Sequence, residues 1–277
     1  GVNDYFKNAL GLATFFTDRS DEVAMGGDVL YTPNITALTV SSKTVGSQVV
    51  LSSPTETATT LTIGTHKHVA FIIEDAVKAQ VKASYNIQER YAKNAAYEIA
   101  NDLETSLAAL FPSITASVGT TTVALTEAVC RQAIATLSTA IKGAFRKEDV
   151  RFVLAPKTIW QDAMLSDRFV SFDFGQNGAG QGGQRTPYIY GIEVIESTYL
   201  TKVNTNADYS GALIHRDAIH FATAALPGAS VGTDGVPGVR LQSAYVLEYL
   251  GDLVVADIKY GVVLNRDTAG VEIISAV

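Results

Sequence analysis

The 277-residue sequence predicts an α+β fold, and three observations carry that expectation. A stretch rich in Ser, Thr and β-branched residues, 28–65, reads as paired strands. A long apolar stripe at helical spacing, 74–111, reads as one helix. Strands resume after residue 239, and helices and strands mix without regular βαβ alternation.

Composition narrows the classes. Lys and Arg total 21 against 28 Asp and Glu, a net charge of −7, which argues against a dedicated nucleic-acid binder because phosphate contacts need a basic face. The 47% hydrophobic content is too high for a disordered chain. A single cysteine, Cys130, excludes an internal disulfide framework. Residues 1–7 lack a basic start followed by an apolar run, and the uncharged stretch 105–126, interrupted by Pro112, falls short of the ~20 apolar residues that span a bilayer. Only 18% of residues are charged, against a typical quarter, so much of the surface is suited to cover by further copies of the chain.

Along the chain, residues 1–27 carry Tyr5, Phe6, Leu10, Leu12, Phe15 and Phe16 without a clear period. An arm lying on another surface and a short N-terminal helix both fit. Between Val29 and Thr65 the only charged residues are Lys43 and Glu56. This segment reads as a two-stranded excursion, outgoing near 28–40 and returning near 57–71. A lone ribbon is marginal in water, so it needs a neighbour's surface; part of a monomeric β-sandwich is the other reading. In the helix, Val77, Val81, Tyr85, Tyr91, Ala95, Ile99, Leu103, Leu107 and Leu110 form the inward stripe, and Pro112 ends it. A helix over 76–111 has a length of roughly 54 Å at ~1.5 Å per residue. Its Glu98, Asp102 and Glu104 read as the wet face.

Thr126 and Glu127 open a second helix with Val129, Ala133, Ile134, Leu137 and Ile141 inward, and Cys130 packing as a small hydrophobe. A strand over 151–154 precedes a helix over 157–168 that brings Trp160, Ala163 and Met164 together. A Gly/Gln-rich loop follows at 175–185, then short strands near 192–195, 213–214 and 219–222. After a Gly/Pro loop at 227–237, strands return, with a turn at Gly251 and Asp252 and a last strand over 271–274.

Motifs for chemistry fail in context. Gly178, Gly180 and Gly183 satisfy G-x-G-x-x-G, but Arg185, Thr186 and Pro187 follow where a phosphate-binding helix must begin, so a surface loop is expected. Gly228, Ser230 and Gly232 satisfy G-x-S-x-G, but the last histidine is His220, so no base lies downstream. His66 and His68 share a strand face, yet two imidazoles are too few for a metal site. His215 and His220 match no metal spacing. No catalytic residue, cofactor or metal ligand is expected.

The order of pieces carries a resemblance. The β excursion returns through His68-Val-Ala-Phe-Ile-Ile-Glu-Asp-Ala-Val-Lys-Ala-Gln80 into the long helix. A mixed region contains Val153-Leu-Ala-Pro-Lys-Thr-Ile-Trp160 and Gly191-Ile-Glu-Val-Ile-Glu-Ser197, and the chain closes through Asp257-Ile-Lys-Tyr-Gly-Val-Val-Leu-Asn-Arg-Asp267. This resembles the major capsid proteins of tailed bacteriophages, with the HK97-type fold. The resemblance implies an N-terminal arm (1–27), an extended E-loop (28–67) and a peripheral (P) domain (68–125 and 239–260) with a spine helix (76–111). It implies an axial (A) domain over 126–238 and 261–277. It further implies a non-enzymatic subunit of an icosahedral head, found in the virion and assembled in the host bacterial cytoplasm. The implied partners are copies of itself in hexamers and pentamers, portal, scaffolding and decoration proteins, and packaged double-stranded DNA held by non-specific contact; no membrane is involved. An encapsulin-like compartment shares the fold and differs in its contents. A serine hydrolase using Ser230 is the rival from another class.

Overall fold

The structure is a computed structural model and describes residues 11–23, 27–35, 38–80, 87–163, 188–224, 226 and 239–277. The expected loops at 175–185 and 227–237, with the glycine motif and Ser230, lie outside the described residues, as do residues 1–10, Val81, Tyr85 and Met164.

The chain begins with α1 (Leu12–Phe15), β1 (Thr17–Asp18) and α2 (Ser20–Val23). A hairpin ribbon follows, β2 (Val29–Ile35) and β3 (Glu56–Thr62), then β4 (Thr65–Glu74). Next come α3 (Asp75–Gln80), α4 (Ile87–Ala108), β5 (Ser117–Val118), α5 (Glu127–Ala140) and β6 (Val150–Leu154). The remainder is strands: β7 (Tyr188–Ile189), β8 (Ile192–Glu196), β9 (Lys202–Val203), β10 (Asp208–His215), β11 (Ile219–Ala224), β12 (Arg240–Val246), β13 (Gly251–Leu264) and β14 (Gly270–Ala276).

Two sheets organise these pieces. In the first, β13 is central, with β4 along one side and β12 and then β11 along the other; β1 adds in parallel to β11. The second runs β5-β14-β10-β6-β8-β7, with β9 on the end of β10. The main core lies where α4 meets both sheets. Ile99, Leu103, Leu107 and Phe111 pack there with Ile219, Ala256, Ile258 and Tyr260 of the first sheet and Val153 and Ile214 of the second. A second core forms under α5, where Cys130, Ala133 and Leu137 meet Phe152, Leu154, Leu213 and Ile273. Cys130 continues the buried stripe of Ala133 and Leu137, and burial pushes its thiol up to about 12, so it packs as an inert small hydrophobe.

Several sequence-based boundaries shift. The described long helix is α4, 22 residues, about 33 Å at ~1.5 Å rise. It ends at Ala108, and Pro112 sits inside a separate 3-10 turn, Phe111–Ser113, where its missing N–H costs nothing. Val77 and Tyr91, expected on the buried stripe, are exposed. The returning strand is not continuous: it breaks at Ile63 and Gly64, so β3 pairs with β2 while β4 pairs with β13. Residues 65–67, expected in the E-loop, therefore belong to the first sheet.

The expected P/A boundary at 260/261 falls inside β13, because β11 extends the ladder from Ile219↔Leu264 to Ala224↔Lys259. Likewise 219–224 joins the first sheet and 117–118 the second. The turn expected at 251–252 lies at 247–250, with Leu250 at φ 45°. Gly251 instead starts β13 where an added Cβ would sit 2.6 Å from the Ile73 carbonyl oxygen. The helix expected over 157–168 is described to Ala163 and includes a π-helical turn, Thr158–Asp162. That wider turn leaves Trp160 48% exposed while Ala163 is buried, so the two do not share a face.

Candidate functional site

The ribbon is the feature that the body does not explain. β2 and β3 pair from Val29↔Thr62 to Ile35↔Glu56. Beyond them, residues 38–55 carry Leu38, Val40, Val45, Val49, Val50 and Leu51, all exposed, with Val40 at 98%. The chain reverses at Thr44–Ser47, where the Ser47 N–H donates to the Thr44 carbonyl at 3.2 Å and Gly46 takes φ 85°. The side chains that favour extended backbone are thus held away from the core. With Lys43 and Glu56 the only charges between Val29 and Thr65, little opposes contact with another apolar surface.

A second exposed apolar surface lies on the first sheet. Directly paired residues share a face, and α4 covers one face only. There the Phe71 and Tyr91 rings meet at 5.5 Å and Tyr260 Oη donates to Asp102 at 2.6 Å. The opposite face presents Ala70, Val255 and Gln242 in one row and Ile72, Leu253 and Ala244 in the next. An open groove of about 570 Å3 runs past Gln242, Ser243, Ala244, Leu253 and Val255. Leu247, Tyr249 and Leu250, at the β12–β13 turn, extend the exposed apolar area.

The groove is flanked by a charged anchor. Asp257 is buried, and Arg240 grips it through Nε at 2.9 Å and Nη2 at 2.6 Å, while His66 Nε2 lies 3.0 Å from its second oxygen. The Arg240 hydrogen bonds hold the Asp257 carboxyl below its ordinary range. His66 and His68 are thus residues of a paired strand, and His66 lies within hydrogen-bond distance of Asp257. Among the described residues no three His, Cys, Asp or Glu side chains converge as a metal site.

Glu104, read from the sequence as wet, is only 2% exposed. It accepts the Leu12 and Ala13 N–H groups at 2.9 and 3.0 Å, capping α1 and holding the N-terminal segment against α4. Burial raises its pKa, opposed by those hydrogen bonds. A signal was present: Glu104 stands four residues from Ala100 and from Ala108, both buried, so the helical period carries it into the apolar stripe. Its partners lie more than 90 residues away in sequence and give no local pattern.

Comparison with known proteins finds neither a matching family model nor a matching curated relative. Solved structures do match. A chain from Mycobacterium phage Che8 superposes with TM-score 0.80 at 17% identity, covering 99% of this chain and 94% of that one. The capsid structure of cyanophage P-SCSP1u gives 0.76 at 15%, covering 99% and 90%. The mature capsid of bacteriophage PhiM1 gives 0.74 at 12%, covering 99% and 89%. The chain therefore has the HK97-type fold of tailed-phage capsid proteins, over essentially its whole length.

Proposed function

We propose that the chain is the major capsid protein of a tailed double-stranded-DNA bacteriophage, a structural subunit that builds a closed shell from copies of itself. The observation that carries this reading is the whole-chain likeness to capsid subunits, at up to 0.76 for a structure described as a capsid. The ribbon supports it: apolar residues left exposed among the described residues suit a subunit whose neighbours cover them. A two-stranded ribbon alone is marginally stable, so lying on an adjoining body also stabilises its fold.

On this reading β2, β3 and residues 38–55 serve as the E-loop, and α4 as the spine. The first sheet forms the P domain, and the second sheet with α5 forms the A domain. Hexamers and pentamers are the assembling units, and portal, scaffolding and decoration proteins complete a head assembled in the bacterial cytoplasm. The net charge of −7 favours packaged DNA confined by the shell rather than gripped by a basic lining. The subunit performs no catalysis on this account.

Negative-stain electron microscopy of the purified chain tests the reading. Closed particles or capsomers are expected; a monomer that persists at high concentration overturns it.

A further inference from the structure

The ribbon leaves the body through two kinds of contact. At its root the contact is apolar: Leu30, Leu61 and Ile63 cluster with Val23 and Ala222. The root is tightened by the Ile63 N–H donating to the Asp28 carbonyl at 2.8 Å and by Lys259 Nζ on Asp28 at 2.5 Å. The Thr62 carbonyl also sits so close to Gly261 that an added Cβ there would come within 2.2 Å of it.

Farther out the contact is polar. Thr32 and Thr59 are directly opposed across the two strands. Arg19 Nη1 donates to Thr32 Oγ1, and Thr59 Oγ1 donates to the Asn265 carbonyl at 3.5 Å. Among the ties named here, this pair lies farthest along the ribbon. A cleft of about 480 Å3 opens there, lined by Thr17, Arg19, Thr32, His215, His220 and Arg266.

Arg19 is built to reach across. Its backbone N–H donates to the Phe221 carbonyl at 2.9 Å, which fixes it to β11. Glu22 takes Nε and Nη2 at 2.7 and 2.5 Å, so the guanidinium plane is set and Nη1 is left to point at the ribbon.

We propose that Arg19 is the latch that sets the slope of the ribbon, tying Thr32 to the body across the cleft while the apolar root acts as pivot. The proposal rests on reading the ribbon as an assembly arm. The lever is long: the 13 residue steps from Thr32 to Val45 reach at most ~45 Å at ~3.4 Å per step. A tilt of roughly 10° at the neck then moves a point ~40 Å away by about 7 Å. That error exceeds what a packed interface tolerates, so a loose neck blurs the placing of the tip on its neighbour.

The test compares the parent with Thr32→Val, Arg19→Gln and Thr32→Ser. Amide hydrogen exchange on the unassembled chain reads the neck, and electron microscopy of assembled particles reads the placing. Thr32→Val and Arg19→Gln are expected to speed exchange in 29–35 and 56–62 about three- to tenfold, the factor that one hydrogen bond carries, without change in β10 and β14. Their particles are expected to spread in size, and Thr32→Ser to restore both readouts. Unchanged ribbon exchange in both variants overturns the latch. So does faster exchange throughout the chain, which marks Arg19 as a general stabiliser. A parent that forms no particles sinks the assembly reading instead, and the exchange comparison still decides the latch.

Discussion

In the second sheet, Phe152, Leu154, Leu213 and Ile273 are sealed beneath α5; in the ribbon and its tip, Ile35, Leu38, Val40, Val49 and Leu51 stand in solvent. Both regions are built from residues that favour strands. Fully burying one such side chain contributes about 1.5–3 kcal/mol. The sheet takes that gain within its own chain. The exposed side chains of the ribbon do not. On the proposed reading the body is a folding unit and the ribbon a binding element, and the two should respond oppositely to mutation.

Phe152→Ala should have the largest effect on the isolated chain, costing about 3–5 kcal/mol of unfolding free energy in a denaturant titration, because the cavity lies under α5. A cost near zero would break the claim that the body folds on its own contacts.

Asp257→Asn should cost less, about 1–3 kcal/mol, by loosening the Arg240 fork. It also carries a pH signature. The folded carboxyl is held below its ordinary value of 3.8, so the parent's stability from this pair is present above that value. It is lost as pH falls below 3.8 through the folded value, and a melting series in acid should show that loss flattened in the variant.

Deleting residues 36–60 inverts the pattern. The remaining chain should stay soluble, with circular dichroism close to the parent's, yet form no stable shells in electron microscopy. Normal closed particles from the deleted chain would erase the distinction between body and ribbon. Val40→Ser should be the mildest change, within about 0.5 kcal/mol for the isolated chain, since the side chain is already in water. Its effect should show only as weaker assembly in sedimentation.

The ribbon was legible in the sequence because it is a compositional feature: 28–65 is Ser/Thr-dense, β-branched and nearly free of charge. The inner stripe of α4 from Ala95 to Leu107 and the span of α5 were legible because period and capping are local. What escaped depends on distant partners. Glu104 reads as a wet helix residue until the Leu12 and Ala13 N–H groups are placed against it. Gly251 reads as a turn until the Ile73 carbonyl is seen crowding its α-carbon. The domain boundary that the resemblance implies at 260/261 dissolves once β11 is found pairing across it. The latch at Arg19 is of the same kind, since Thr32 and Phe221 meet it from far-apart parts of the chain.

The central claim is that the exposed apolar tip is covered by another copy. Leu51→Cys reports on it directly, because the natural Cys130 is buried and its thiol is pushed up to about 12, leaving the new thiol as the reactive one. Maleimide labelling should be fast on the unassembled variant and strongly suppressed once particles form. Equal labelling rates before and after assembly would contradict the account.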